Sequence, residues 1–248
     1  MTNGHPPAIA FNRVSKSFGS KQVLSDVSWN VPEGQAVCIL GRSGTGKSVT
    51  LKLIIALLKP DQGSIWIDQH DVTHLEGPHL SAVRRKVGYL FQDAALFDSL
   101  TLYENLALPL ARLTQKTQSE IDELVDRVLG EVGLAGDKAK MPSELSGGMR
   151  KRAGLARALM LEPKILLADE PSSGLDRITA AEIDELLLRR KAEHKTTLIV
   201  VTHDVHGARR VADRLLVLDR GKLIAQGTVA EIEQSENEVA RKLVGSND

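Results

Sequence analysis

One cysteine, Cys38, is all the chain contains, so an internal disulfide is excluded. It sits in the apolar run 36–40 and reads as a buried core thiol rather than a reactive one. Charge of one sign is also missing: 32 Lys and Arg balance 32 Asp and Glu, so no strong overall field draws the chain to nucleic acid or anionic lipid. Any partner has to be recognised by a local surface. Apolar residues make up 42% of the chain, yet no uninterrupted apolar run approaches the ~20 residues that span a bilayer. The first ten residues lack a basic start and a long apolar segment, so they do not resemble a secretory signal, and cytosolic residence is expected. No internal repeat or low-complexity linker is visible, and 248 residues suffice for one compact α/β unit with a substantial core.

What is present is an ordered alternation of elements. Runs 8–14 and 23–31 are β-rich, and the second alternates Val27, Trp29 and Val31 before the turn at Pro32-Glu33-Gly34, which predicts an antiparallel start. The run 36–40 is continuously apolar, enters a glycine-rich loop and is followed by helical composition over 49–58. Residues 98–141 read as mainly helical, with Ile121, Leu124, Val125, Val128, Leu129 and Val132 forming one apolar face. After Ser146 the chain predicts helix 147–161, strand 164–169, helix 179–192 and strand 197–202, a pattern of parallel strands with helical crossovers. Strands at 214–219 and 223–226 meet in a hairpin at Arg220-Gly221, and a short polar helical tail begins at Thr228.

The glycine-rich loop carries the first chemistry. Gly41, Arg42, Ser43, Gly44, Thr45, Gly46, Lys47 and Ser48, with Val49 immediately after, place two glycines four residues apart before Lys-Ser, between a strand and a helix. Glycines let successive backbone N–H groups turn inward at phosphate oxygens, and the following helix aims its positive end at the same point. Lys47 would reach the β- and γ-phosphates of a nucleotide, and Ser48 would ligate Mg²⁺.

The run 165–170 ends in Asp169 and Glu170, whose successive positions oblige them to divide the work. Asp169 is placed to hold Mg²⁺ through water and Glu170 to polarise an attacking water. Taken alone, the pair fits equally well the cap of a helix starting near Pro171-Ser172; the phosphate loop upstream favours the hydrolytic role. His203 follows the apolar run 198–201, in the same expected sheet, where its ring could reach the γ-phosphate and the water.

Leu145-Ser146-Gly147-Gly148-Met149 precedes a helix with Arg150, Lys151 and Arg152 on its first turns, a second anion-binding helix start. In isolation an ordinary helix capped by Ser146 is the simpler reading. With one cradle already available, use across a twofold interface is the economical one.

Together these motifs resemble ABC ATPases over nearly the full length of the chain: the phosphate loop, Gln92 after the strand 88–91, the signature 145–149, the two acids, Ser173-Gly174-Leu175-Asp176, and His203. The resemblance implies an α/β P-loop cassette with a mainly parallel sheet core, an antiparallel β subdomain and a helical subdomain. Its division would be core at 1–91 and 163–227, helical subdomain at 92–162 and tail at 228–248. It implies ATP and Mg²⁺, a second copy whose Ser146, Gly147 and Gly148 close on the γ-phosphate with Asp176 across the interface, and Gln92 touching Mg²⁺ and relaying occupancy to a membrane permease. Catalysis would rest on Glu170, His203 and Lys47. Phe18, in Ser17-Phe18-Gly19, matches the aromatic that stacks on adenine; the alternative is a strand-end core residue. Arg177 departs from the family, which usually has Pro there.

Two stretches, 91–101 and 141–145, look like the ATPases of MCE-associated, Mla-type phospholipid transporters, which work between bacterial inner and outer membranes. That likeness implies a peripheral position on the cytoplasmic face of the inner membrane and an MCE-domain partner. Ala94, Ala95, Leu96 and Phe97 could line a groove for a short permease helix, or pack between lobes, or both. The second expectation is an importer of amino acids or another small solute. Cassettes acting on DNA or ribosomes usually carry coiled-coil insertions or two cassettes, which the sequence lacks, and the balanced charge gives nucleic-acid binding no support.

Overall fold

The structure, a computed structural model, describes residues 6–245. In chain order the described elements are β1 (Ile9–Phe18), β2 (Lys21–Val31), β3 (Ala36–Leu40), α1 (Lys47–Ile54), β4 (Gln62–Ile67), β5 (His70–Asp71), α2 (Gly77–Arg84) and β6 (Val87–Leu90). There follow α3 (Leu102–Leu113), α4 (Gln118–Glu131), α5 (Gly147–Leu159), β7 (Ile165–Asp169), α6 (Arg177–His194) and β8 (Thr197–Thr202). The chain continues with α7 (Val205–Val211), β9 (Arg214–Asp219), β10 (Lys222–Gly227), α8 (Val229–Glu233) and α9 (Glu238–Gly245).

Six strands form one sheet in the order β10-β9-β3-β8-β7-β6, parallel except for β10 at the edge. Four form an antiparallel sheet, β2-β1-β4-β5. The continuous apolar runs of β3, β7 and β8 follow from burial on both faces. Cys38, Leu40, Leu166, Ala168 and Val200 join the core beneath α3, α4 and α5, whereas Val37, Ile39, Leu167, Ile199 and Val201 join the core shared with the antiparallel sheet. There Phe11 stacks on Trp29 of the neighbouring strand, ring centroids 4.3 Å apart. Cys38 is fully buried as expected, and burial pushes its thiol pKa far up, which leaves it inert.

α3 and α4 each begin with a capping box, Thr101 with Glu104 and Thr117 with Glu120, so both starts are fixed locally. The expected α4 stripe is the buried face: Ile121, Val125, Val128, Leu129 and Val132 are buried, and Leu124 packs beside them. α9 rests on its own chain through Ala240 and Val244, and Arg209 donates to the Val244 carbonyl at 3.0 Å. Residues 246–248 of the expected tail and residues 1–5 of the N-terminal stretch lie outside the described residues.

Several boundaries differ from expectation. The helix predicted over 49–58 starts at Lys47, directly after Gly46 at φ 102°, and ends at Ile54 before Ala56 turns into the left-handed region. β4, β5, α2 and α7 were not anticipated. Among the described residues no helix is long and apolar enough to cross a membrane.

Leu129 is fully buried where α4 meets the core. Leu129→Ala is expected to lower unfolding free energy by about 2–5 kcal/mol, read by urea denaturation. A loss below about 0.5 kcal/mol, the range of neutral surface changes, would contradict the packing described.

Candidate functional site

The parallel register aligns Leu40 with Thr202 and Asp169 with Val201, so the loops leaving β3, β7 and β8 converge at the carboxyl end of the sheet. The first is the phosphate-type loop. Gly41 leaves β3 so close to β9 that a Cβ would meet the Leu218 carbonyl oxygen at 2.5 Å. Gly46 takes φ 102°, and a Cβ there would strike Leu24 and the Val23 carbonyl. Thr45 closes the loop, its Oγ1 donating to the Arg42 carbonyl at 2.9 Å, while Arg42, Ser43 and Gly44 are exposed at the rim. Val49 is half-buried in the first turn of α1.

The start of α1 lacks the side-chain cap that most helices of the chain carry, a feature it shares with α2. α3 to α8 are capped by the side chains of Thr101, Thr117, Ser146, Asp176, Asp204 and Thr228 in turn. α1 has no side-chain cap and no acid in its first turn. Its first N–H groups and the positive end of its dipole are left for an anion. Lys47, 7% exposed, arches back over the loop: Nζ donates to the Gly41 carbonyl at 2.7 Å and the Arg42 carbonyl at 3.3 Å. It also stands 3.8 Å from Glu170 Oε1.

The two acids part company. Ser48 Oγ donates to Asp169 Oδ1 at 2.9 Å, and the Tyr89 hydroxyl lies 3.4 Å from Oδ2. Asp169 is buried, and desolvation raises its pKa against the lowering effect of those hydrogen bonds. Among the described residues no cation is ion-paired with it. A buried carboxylate with a hydroxyl beside it and no paired cation is a hard-oxygen donor set that suits Mg²⁺.

Glu170 turns the other way because its backbone is left-handed, φ 48°. Its N–H donates to the Val201 carbonyl at 2.8 Å, and its Oε2 receives Thr202 Oγ1 at 3.2 Å and the His203 N–H at 3.3 Å. His203 Nδ1 lies 2.9 Å from the same oxygen; with the proton on Nδ1 the ring donates to it. Glu170 is buried and the His203 side chain is largely exposed, so the histidine presents the acid to the open side of the site. The alternative in which the acids cap a helix is overturned: the next helix starts at Arg177, and Asp176 caps it by accepting the N–H groups of Ile178 and Thr179, both at 3.0 Å. Arg177 is the first helical residue, the position at which Pro is well tolerated, so the departure falls where an ordinary residue serves equally.

Phe18 is not a core residue. It ends β1 with 47% of its surface exposed and Lys16 Nζ 5.6 Å from its ring centroid, on the hairpin whose Val23 and Leu24 touch Gly46. Its face is available for stacking.

The signature residues lie elsewhere. Ser146 caps α5, its Oγ accepting the Met149 N–H at 3.2 Å, which realises the simple capping geometry. Gly147 is exposed, and a Cβ on Gly148 would meet Thr179 Cγ2 at 2.5 Å. Gly147 lines a cavity of about 420 Å³ with Gln92, Lys151, Ser173 and Leu175, a lining that includes no residue of 41–48. Gln92 therefore stands beside the α5 tip, exposed, on the segment leading to Leu96 and Phe97. Phe97 is 51% exposed and Leu96 half-buried against the helical core. Arg157 of α5 pins that segment by donating to the Ala94 and Ala95 carbonyls.

Lys151 was missed. Read only as one of three cations on the first turns of its helix, it is buried, with burial lowering its pKa. Its spacing with Leu155 and Leu159, both buried, is the sequence signal that places it inward.

Comparison with known proteins finds relatives over nearly the whole chain. A family model described as ABC transporter matches residues 24–173. A Mycobacterium tuberculosis protein named "probable ribonucleotide transport ATP-binding protein mkl" is 44% identical over 98% of this chain and 68% of its own length. The Pseudomonas putida "methionine import ATP-binding protein MetN 1" is 41% identical over 90% of this chain and 68% of its own. The Arabidopsis thaliana protein named "trigalactosyldiacylglycerol 3, chloroplastic" is 39% identical over 98% of this chain and 74% of its own. Among solved structures, the dimeric ATP-binding cassette MJ0796, in a post-hydrolysis state bound to ADP and Pi, superposes with a TM-score of 0.82 at 34% identity. That match covers 89% of this chain and 98% of the other.

Lys47→Ala is expected to weaken ATP binding about tenfold or more, since a charge-assisted contact is worth about 1.5–3 kcal/mol. Calorimetric titration checks it, and unchanged affinity would contradict the cradle. His203→Ala is expected to keep affinity while lowering turnover by about 10²-fold, the lower end for a positioned acid–base group.

Proposed function

We propose that this chain, which belongs to the ABC transporter family and is an ATP-binding, ATP-hydrolysing subunit of a transporter, pairs with a second copy to energise phospholipid movement between inner and outer membranes. The observation that carries the hydrolytic part is the division of Asp169 and Glu170 between Ser48 and the Lys47–His203 side.

In this reading the cradle of residues 41–49 binds the phosphates, Lys47 neutralises β- and γ-oxygens, and Phe18 stacks on adenine. Ser48 and Asp169 would hold Mg²⁺, with Gln92 joining them, and the bound ion would offset charge on the phosphates. Glu170 polarises the attacking water and accepts its proton, and His203 keeps that carboxylate oriented and reaches the γ-phosphate. Ser146, Gly147 and Gly148 serve the partner's γ-phosphate, with Asp176 nearby at the interface. The tip's separation from its own cradle supports this, as does the dimeric state of the MJ0796 cassette.

The residues 92–162 form the helical lobe against the core of 1–91 and 163–227, and 228–248 the tail. Leu96 and Phe97 meet a permease helix at the cytoplasmic face of the inner membrane. Support for lipid cargo comes from the stretches 91–101 and 141–145 and from a relative that bears the name of a galactolipid. Similarity to a methionine import protein favours a second reading, an amino-acid importer.

Purification of the tagged chain from native membranes is expected to bring down a permease and an MCE-domain protein. Recovery of a permease with an amino-acid-binding protein would overturn the lipid reading. Changing both Leu96 and Phe97 to Asp is expected to abolish copurification of the permease while ATP binding persists; full recovery of the complex would remove the docking role.

A further inference from the structure

Glu170 occupies a backbone conformation that a non-glycine residue adopts only when its surroundings over-determine it. Its N–H is fixed by β8, and its side chain is fixed by Thr202 and His203. Its carbonyl is the remaining handle. That oxygen receives the Ser173 N–H at 3.2 Å, Ser173 Oγ at 3.0 Å and, at 2.9 Å, Nζ of Lys151, which enters from the second turn of α5.

Lys151 donates in two further directions, to the Gln92 carbonyl and to Ser173 Oγ at 3.2 Å. An ammonium has three N–H groups, and here three acceptors take them, one on the Gln92 segment and two on the turn 170–173. The side chain is buried and no carboxylate is ion-paired with it among the described residues, so its charge is held by backbone and hydroxyl dipoles. One cation thus ties the segment that carries Gln92, the peptide of the hydrolytic acid and the loop before Asp176. It does so from the helix whose first residues are Gly147 and Gly148.

We propose that Lys151 is a positioning residue for hydrolysis: its three-way contact holds the Glu170 carbonyl, and so the Glu170 carboxylate, in the attacking geometry, and makes that geometry depend on the position of the Gln92 segment. The inference rests on the reading of Glu170 as the group that polarises water. Lys151 lies outside the cradle of 41–49; without it the Glu170 carbonyl keeps the Ser173 N–H and Oγ but loses its third donor, and its link to Gln92 is cut. ATP affinity, set by the cradle of 41–49, is untouched.

The test compares Lys151→Met, which keeps length and loses the donors, with Lys151→Arg, which keeps a cation with planar donors, in the purified full chain. Lys151→Met is expected to lower kcat about 10- to 100-fold, the scale of a small misplacement of a catalytic group. ATP affinity by titration stays within about twofold and the melting temperature changes little, because an interaction acting only on turnover leaves binding intact. Lys151→Arg is expected to recover part of the lost kcat. Wild-type kcat in Lys151→Met overturns the proposal, as does a joint fall of kcat, affinity and melting temperature, which marks structural support only. Glu170→Gln run alongside separates the two levels. If it hydrolyses ATP at the wild-type rate, the reading of Glu170 falls and the inference with it; if it is inactive while Lys151→Met is fully active, the inference alone falls.

Discussion

Two acidic residues at the buried end of one strand cannot both be left facing the same low-dielectric pocket, and the molecule is organised around how Asp169 and Glu170 are separated. Side chains alternate along β7, so Asp169 falls on the α1 side and meets Ser48. The left-handed turn at Glu170 then aims the second carboxylate at Lys47 and His203. Both placements depend on the parallel register of β3, β8 and β7, which brings the phosphate loop, the acids and the histidine to the carboxyl end of the sheet. A slip of one residue in any of these strands would reverse every side chain and dismantle the site.

The same fold leaves the chain with two helix starts suited to anions that do not share a cavity. At α1 the donors are uncapped and stand over Lys47; at α5 Ser146 caps the start and Gly147 lines the cavity of Gln92. α5 is also the mechanical connection between regions. Arg157 holds the segment of Ala94 and Ala95, both in left-handed conformations, and Lys151 reaches from the same helix to Glu170. Events at the surface around Phe97 and events at the acid are therefore joined through one rigid element.

Much of this was legible in the residues. The bounds of β3, β8 and β9 coincide with the apolar runs because each is short, continuous and closed by a glycine, a proline or a polar cluster. The phosphate loop was legible because its glycines answer to specific close approaches at Leu218 and Val23. β4 was not, since its pairing partner is β1, some fifty residues away, and its alternation is confined to Ile65 and Ile67. α2 offers a single buried residue, Val83, and α7 is seven residues long, so neither carries a readable period. The role of Lys151 was hidden for another reason: its partners are two backbone carbonyls and one hydroxyl, and sequence does not reveal which carbonyls meet.

The account stands on the claim that the α5 tip of one copy completes the nucleotide pocket of another. Sedimentation of Glu170→Gln with and without Mg-ATP tests it most directly. The account predicts a nucleotide-dependent dimer that is lost when Ser146 is replaced by a bulky residue. A chain that binds Mg-ATP, fails to hydrolyse it and sediments as a monomer at every concentration, with or without its membrane partner, would contradict it.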